Sequence, residues 1–347
     1  MSDASGSGGT PARGRPATMK DVAAAAGVGL GTVARAFGSP GRVSEETRRR
    51  VLEIAEGLNY HPSAVGRGLK RQVSDNIGLI VTDVSNNFYG EFSQGVLASA
   101  QGLGRHVILG ASGEDPAMEL DYIRLMVEQR VDGIIAFPTG ENIAAWRSAI
   151  ALGIRVVFAD RILEDLDASS IVVDNVAGAR SLTEYLLALG HTRIGYLGGP
   201  TTVSSGSLRE TGFRAAHADA GIPVDEALVL RTRFTRDTAY ASAQRLLDVE
   251  KAPTALVAAN NVLGEAALSA IRDRGMRVPD DISLVMFDDV PWAKLVEPPI
   301  TVIAQPAFEM GQFATRMVLG GDASASSLTL PTKLTIRGSA RPLRAAV

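Results

Sequence analysis

Residues 18–60 read TMKDVAAAAGVGLGTVARAFGSPGRVSEETRRRVLEIAEGLNY, and their spacing predicts three short helices. Thr18 precedes an Ala-rich run with Asp21 three residues on, close to a capping box. Gly27 ends that run, and residues 30–37 form a second short helix. Gly38, Pro40 and Gly41 then make a loop. Ser44 is placed to cap a third helix, with Glu45 and Glu46 in the first turn, where the helix dipole favours anions. Val51, Ile54, Ala55 and Leu58 recur at helical spacing and predict its buried face. Three helices in so short a stretch fit an all-α helix-turn-helix domain over 18–61.

The charge on either side of this stretch is uneven. Residues 1–71 hold eleven Lys and Arg against six Asp and Glu, a net of +5; the remainder holds twenty-four against thirty-two, a net of -8. A basic head on an acidic body points to a polyanion contacted by the head. Residues 1–17 (MSDASGSGGTPARGRPA) are small and polar with two arginines, and a disordered tail without the apolar core of a signal peptide is expected there. Residues 62–75 (PSAVGRGLKRQVSD) form a basic linker.

From residue 76 short apolar runs recur: NIGLIV (76–81), HVILG (106–110), VDGIIAF (131–137), RVVFAD (155–160), SIVVD (170–174), RIGYLGG (193–199), ALVAA (255–259) and ISLVMF (282–287). Helical patterns separate them. Strands alternating with helices imply parallel sheets covered on both faces, and eight or more units fit two doubly wound subdomains. Ligands of open α/β sheets bind beyond the carboxyl ends of the strands. Polar residues stand at those ends here: Asp83, Asp160-Arg161, Asp174-Asn175, Asn260-Asn261 and Asp288-Asp289.

Several functions are disfavoured. The chain has no cysteine, so it offers no thiolate nucleophile and no Cys zinc site. Its four histidines (His61, His106, His191, His217) lie far apart, and no metal and no cofactor are expected. No apolar run approaches 18 residues, so no membrane partner is expected, and the cytoplasm is the expected compartment. GVGLGT (27–32) looks faintly like a phosphate-binding loop, but it follows a helix and not a strand, and no nucleophile–base set accompanies it; an enzyme is not expected. A small-molecule-binding protein without DNA function, such as a periplasmic sugar-binding protein, would not need the basic helical head.

The sequence resembles the LacI/GalR family of bacterial regulators over nearly its whole length. The head carries the resemblance through TMKDVAAAAGVGLGTVARAF and GRVSEETRRRVLEIAEGLNYHPSAVGRGLK. The body carries it through SNNFY, RVDGII, VVFADR, LGHTRIGYLGGP, ETGFRAA, RVPDDISLVMFDD and PPITVIAQP, in order. The resemblance implies a headpiece, a hinge, and a core of periplasmic-binding-protein type over 76–340. Its first lobe is expected at about 76–173 plus 305–330 and its second at about 174–304 plus 331–340. It also implies a homodimer on a pseudo-palindromic, double-stranded operator, released or retained by a small effector. The C-terminus GSARPLRAAV lacks a leucine heptad, so a dimer is expected and not a tetramer.

Residue by residue, the resemblance implies DNA contacts by Thr18, Leu30, Gly31, Thr32 and Arg35 of the headpiece and by Ser63, Arg67, Leu69 and Lys70 of the hinge. Arg35 would reach a guanine or a phosphate, and Leu69 would wedge between central base pairs. Two positions depart from the family: Gly29 and Ala34 stand where serine is usual. For the effector it implies Phe88, Tyr89, Asp160, Arg161, Arg209, Phe234, Asn260, Asp288 and Gln305. This mixture of Asp, Arg and Asn suits a polyhydroxylated neutral ligand such as a sugar. A nucleobase or nucleoside stays open, because Phe88 and Phe234 could stack on a flat ring.

Overall fold

The computed structural model describes residues 17–37, 43–60, 74–320 and 326–343. It divides into two compact units, one ending at Ser74 and one beginning at Asp75.

The first unit holds α1 (Met19–Ala26), α2 (Leu30–Ala36) and α3 (Glu45–Gly57). Asp21 closes the capping box on Thr18, whose N–H and Oγ1 both donate to Asp21 Oδ2 at 2.7 Å. Gly27 takes the left-handed conformation (φ 63°) that a side chain would disfavour, and so turns the chain from α1 toward α2. Ser44 accepts a hydrogen bond from Thr47 N and starts α3. Val22, Ala26, Val33, Ala36, Val51 and Ala55 form the small core. Leu58 does not join it, contrary to its spacing: α3 ends at Gly57, Asn59 turns the chain (φ 49°), and Leu58 is left exposed. Tyr60 packs there instead, edge-on to Phe37.

The second unit contains two six-stranded sheets. The first is built from β1 (Asn76–Val81), β2 (His106–Ala111), β3 (Gly133–Ala136), β4 (Arg155–Ala159), β5 (Ser169–Val173) and β11 (Ser327–Leu330), in the order β11-β5-β4-β3-β1-β2. The second is built from β6 (Ile194–Gly198), β7 (Val229–Arg231), β8 (Ala255–Ala258), β9 (Ser283–Phe287), β10 (Thr301–Ala304) and β12 (Lys333–Thr335), in the order β12-β10-β9-β8-β6-β7. All pairs are parallel except β10 with β12.

Between the strands run α4 (Asn87–Gly102), α5 (Pro116–Glu128) and α6 (Ile143–Ala151) in the first lobe. The second lobe has α7 (Asn175–Ala188), α8 (Ser204–Asp219), α9 (Arg236–Leu247), α10 (Asn261–Asp273) and the short α11 (Pro291–Leu295). The last helix, α12 (Ala307–Leu319), returns to the first lobe and lies on α4.

Strand alternation explains the layering. Ile77, Leu79 and Val81 of β1 meet Phe92, Val96, Met310 and Val318 on one face of the sheet, while Ile80 meets Ile123, Met126 and Trp146 on the other. Gly78 faces Met126 so closely that a Cβ would lie 2.8 Å from its sulfur. The chain crosses between the lobes three times: from β5 to α7, from β10 to α12, and from β11 to β12. These crossings set the carboxyl ends of both parallel sheets toward each other.

Candidate functional site

Two carboxylates anchor the cleft between the lobes. Asp160 directly follows β4, and Asp288 directly follows β9. Both are left-handed (φ 63° and 76°), a conformation that Asp tolerates better than most residues. Each backbone N–H donates at 2.9 Å to the neighbouring strand, Asp160 to Ile171 O and Asp288 to Ile303 O. The two sheets therefore present equivalent carboxylates at equivalent strand ends, each in a backbone kink held by the sheet around it.

Arg209, on α8, fills the floor between them. Its Nε donates to Asn175 Oδ1 (2.7 Å), Nη1 to Ala259 O (2.7 Å) and Nη2 to Asp160 Oδ1 (3.2 Å). Its guanidinium also lies 4.2 Å from the Phe287 ring centroid. Asp160 belongs to the other lobe, so this ion pair crosses the cleft. Ser205 Oγ donates to Asp160 Oδ2 (3.1 Å), and Ile162 N donates to Ser204 Oγ (2.9 Å), across the same gap.

Asp288 accepts from Asn261 N (3.0 Å) and from Gln305 Nε2 (2.5 Å). Burial pushes its carboxyl above the ordinary value, against the pull of the nearby Arg209 charge. Gln305 Oε1 is buried without a hydrogen-bond partner. Asn260 caps α10 through its Oδ1, which accepts from Leu263 N (2.9 Å).

The aromatic wall comes from three elements. Phe88 and Tyr89, at the start of α4, pack edge-on to Phe137. Burial holds the Tyr89 phenol well above its usual range. Phe234 lies against the backbone of Gly199, where a Cβ would come within 2.0 Å of the ring.

Phe88, Tyr89, Asp160, Arg209, Phe234, Asn260, Asp288 and Gln305 thus line one cleft. Arg161 does not. Its guanidinium lies 5.6 Å from the Phe234 ring centroid, and its Nη1 and Nη2 donate to Glu114 (2.8 and 2.5 Å) and Nη1 also to Pro138 O (3.2 Å). With a guanidinium only 2% exposed, Arg161 needs a counter-ion, and the half-buried Glu114 supplies it. Asn86 is a lining residue that the sequence reading missed. Its Oδ1 caps α4 at Phe88 N (3.0 Å) and accepts from Asn261 Nδ2 (2.8 Å) of the opposite lobe. The signal was the Asn before Asn87-Phe88, a helix N-cap at a strand end.

In the headpiece, α2 presents Leu30, Gly31 and Arg35 to solvent, with Thr32 half-buried. Arg35 Nη2 reaches Thr32 Oγ1 at 3.4 Å. Around Gly31 no atom lies within 4 Å of where a Cβ would stand. Thr18 caps α1, as described above. Ser63, Arg67, Leu69 and Lys70 lie outside the described residues. Among the described residues no helix is long and apolar enough to cross a membrane, and no group of three metal-ligating side chains is assembled.

Comparison with known proteins places these features. Residues 18–63 match the family model described as bacterial regulatory proteins, lacI family, and residues 183–340 match a periplasmic binding protein-like domain. The chain is 36% identical over 340 residues to the HTH-type transcriptional regulator DegA of Bacillus subtilis (strain 168), covering 94% of this chain and 98% of DegA. Among solved structures it is similar to a transcriptional regulator CelR–cellobiose complex (31% identity, TM-score 0.70, 93% of this chain and 99% of that one). It is also similar to a lac repressor dimer bound to operator and the anti-inducer ONPF (28% identity, TM-score 0.78, 94% and 100%). These relatives are regulators of transcription and not enzymes. With a helix-turn-helix headpiece ahead of a two-lobed, periplasmic-binding-protein-like core, and with matches of this extent, the chain belongs to the lacI family of bacterial transcriptional regulators.

Proposed function

We propose that this regulator is a repressor that binds a pseudo-palindromic operator as a homodimer and is controlled by a neutral, hydroxyl-rich metabolite, a sugar, held between its lobes. In this reading residues 18–61 read the operator, 62–75 form the hinge, and 76–340 bind the effector and dimerise.

One observation carries the choice of ligand. Arg209, the only cation lining the cleft among the described residues, directs its donors at protein acceptors. The remaining capacity is mixed, with acceptors in the majority: the lone pairs of Asp160 and Asp288 and the orphaned Gln305 Oε1, beside the side-chain amides of Asn86 and Asn260. A phosphate or dicarboxylate would find two fixed negative charges there. A polyol brings the O–H donors that those oxygens lack, and Phe88 and Phe234 offer apolar walls for a ring. The cellobiose carried by the CelR relative is in keeping with this. The two rings also support a second reading, a nucleoside whose base lies between them.

For the homodimer, α4 and the edge strand β2 pack together and each leaves a leucine about half exposed, Leu97 at 50% and Leu109 at 49%. Apolar side chains on a sheet edge are normally covered, and a second copy would cover them.

The test of the ligand class is thermal stability of the full chain against a panel of sugars, sugar phosphates and nucleosides. A ligand at 100 times its dissociation constant stabilises by about 2.7 kcal/mol. A shift confined to neutral sugars supports the first reading, and one confined to nucleosides supports the second. A shift with sugar phosphates alone overturns both.

A further inference from the structure

Glu114 holds a backbone conformation that its side chain disfavours. It lies three residues past β2 at φ 59°, in the left-handed region that is uncommon for residues other than glycine. The turn around it is pinned on both sides. Gly113 N donates to Thr82 O (2.7 Å), Asp115 N donates to Ser112 O (3.0 Å), and Asp115 Oδ1 accepts from Ala117 N (2.8 Å) at the start of α5. What the turn delivers is a carboxylate, paired fork to fork with the Arg161 guanidinium.

The charge of Arg161 has a second partner within reach. Asp160 Oδ2 stands 3.7 Å from Arg161 Nε, and that Nε is buried with no hydrogen-bond partner. Without Glu114 the guanidinium would draw on Asp160, and Asp160 would lose acceptor capacity to it. Glu114 also bears on the charge of the cleft. Asp160 and Asp288 line it with Arg209 as their one counter-charge, which leaves negative charge in excess among the described residues. Arg161, next to Asp160 and 5.6 Å from the Phe234 ring centroid, would make up that difference if its charge were left uncancelled.

We infer that Glu114 determines effector specificity: by cancelling Arg161 it makes the cleft reject anionic ligands, and it leaves Asp160 free to accept from ligand hydroxyl groups. The inference rests on the neutral-ligand reading above and names the residue that enforces it. Glu114 does not itself line the cleft, so it is a positioning residue that acts through Arg161. A carboxylate whose sole task was to neutralise a buried guanidinium would change folding stability when removed. It would leave the choice between neutral and charged ligands as it was. The two roles therefore separate in ligand preference and not in stability.

The experiment measures binding by the full chain to matched neutral and charged sugars: glucose with glucuronate, galactose with galacturonate, and ribose with ribose 5-phosphate. The wild type is compared with Glu114→Gln, which keeps the shape of the side chain. Glu114→Gly, which suits the left-handed backbone, serves if the glutamine variant does not fold. The wild type is expected to bind the neutral member of at least one pair and to prefer it over the charged member by about tenfold or more. A unit charge about 10 Å from a charged ligand is worth on the order of tenfold in affinity at an effective dielectric of about 20. The preference should shrink by about that factor in either single variant. The double change Glu114→Gln with Arg161→Gln removes both charges and should restore it. An unchanged preference in the single variants overturns the inference, as does a double variant that behaves like them. A wild type that takes the charged members as tightly as the neutral ones, or takes no neutral sugar, overturns the neutral-ligand reading as well. A neutral preference that ignores Glu114 overturns the role of Glu114 alone.

Discussion

The Asp160 carboxylate of the first lobe and the Arg209 guanidinium of the second meet at 3.2 Å, with both side chains nearly sealed from solvent. Removing one partner of a buried pair leaves an uncompensated charge, at a cost of about 3–5 kcal/mol. Asp160→Ala and Arg209→Ala are each expected to lower stability to denaturant by that order. The double variant should lose less than the sum, with a coupling of about 0.5–3 kcal/mol. Additive losses in urea titrations would show that the pair does not link the lobes.

Effector binding should weaken in acid because of Asp288. Its carboxyl is raised above the ordinary 3.8 by burial, and a ligand hydroxyl needs the ionised form as acceptor. Affinity is then full above the raised pKa and lost as pH falls through it, in a range where an exposed aspartate would still be charged. Asp288→Ala should abolish the response and keep operator binding, since the carboxylate lies in the core unit and not in the headpiece. Calorimetric titration of the stabilising ligand from pH 7 downward checks the trend. A profile that stays flat down to the range where an exposed aspartate titrates would remove Asp288 from the contact.

Gly199→Ala is a steric probe of the aromatic wall. The added methyl would stand 2.0 Å from Phe234 Cζ, so the ring must swing away from its seat. Effector affinity is expected to fall by at least tenfold, about 1.4 kcal/mol, with little change in operator binding. Unchanged affinity would place the ligand away from Phe234.

Arg35→Ala should weaken operator binding by about 1–3 kcal/mol per half-site. Gly31 offers the opposite test. The space around it is open, and a side chain there gains helix propensity of up to about 1 kcal/mol relative to glycine. Gly31→Gln is expected to fold normally and to shift the preferred operator, read by selection from random duplexes. Unchanged selection would mean that position 31 does not face the bases.

Light scattering at micromolar concentration should return a dimer, and the paired change Leu97→Glu with Leu109→Glu should return a monomer. A variant that stays dimeric would move the interface off α4 and β2.

The sequence was most legible where local chemistry decides structure. Caps at Thr18 and Ser44, the turn at Gly27 and the buried parallel strands all follow from short-range patterns. Strands β7, β11 and β12 lack such a signal: each has three or four residues and lies at a sheet edge, where exposure dilutes the apolar pattern. The cleft was legible as polar residues at strand ends. The Arg161–Glu114 pair was not legible, because Glu114, 47 positions away, is a partner that no spacing reveals. Asn86 escaped because a helix cap and a lobe-bridging contact look alike until the partner, Asn261, is brought across.

The return of α12 to the first lobe bears on how the protein is made. Met310, Ala314 and Val318 belong to the first lobe's core, and β11 completes its sheet. The second lobe in turn awaits β10 and β12. Neither lobe has all its parts until synthesis has passed residue 330, so a ribosome carrying the first three hundred residues displays two unfinished apolar faces. Premature termination near residue 306 would release a chain missing α12 from one lobe and β12 from the other. Such a fragment is a substrate for chaperones and proteases and not a source of free headpiece tethered to a half-functional core.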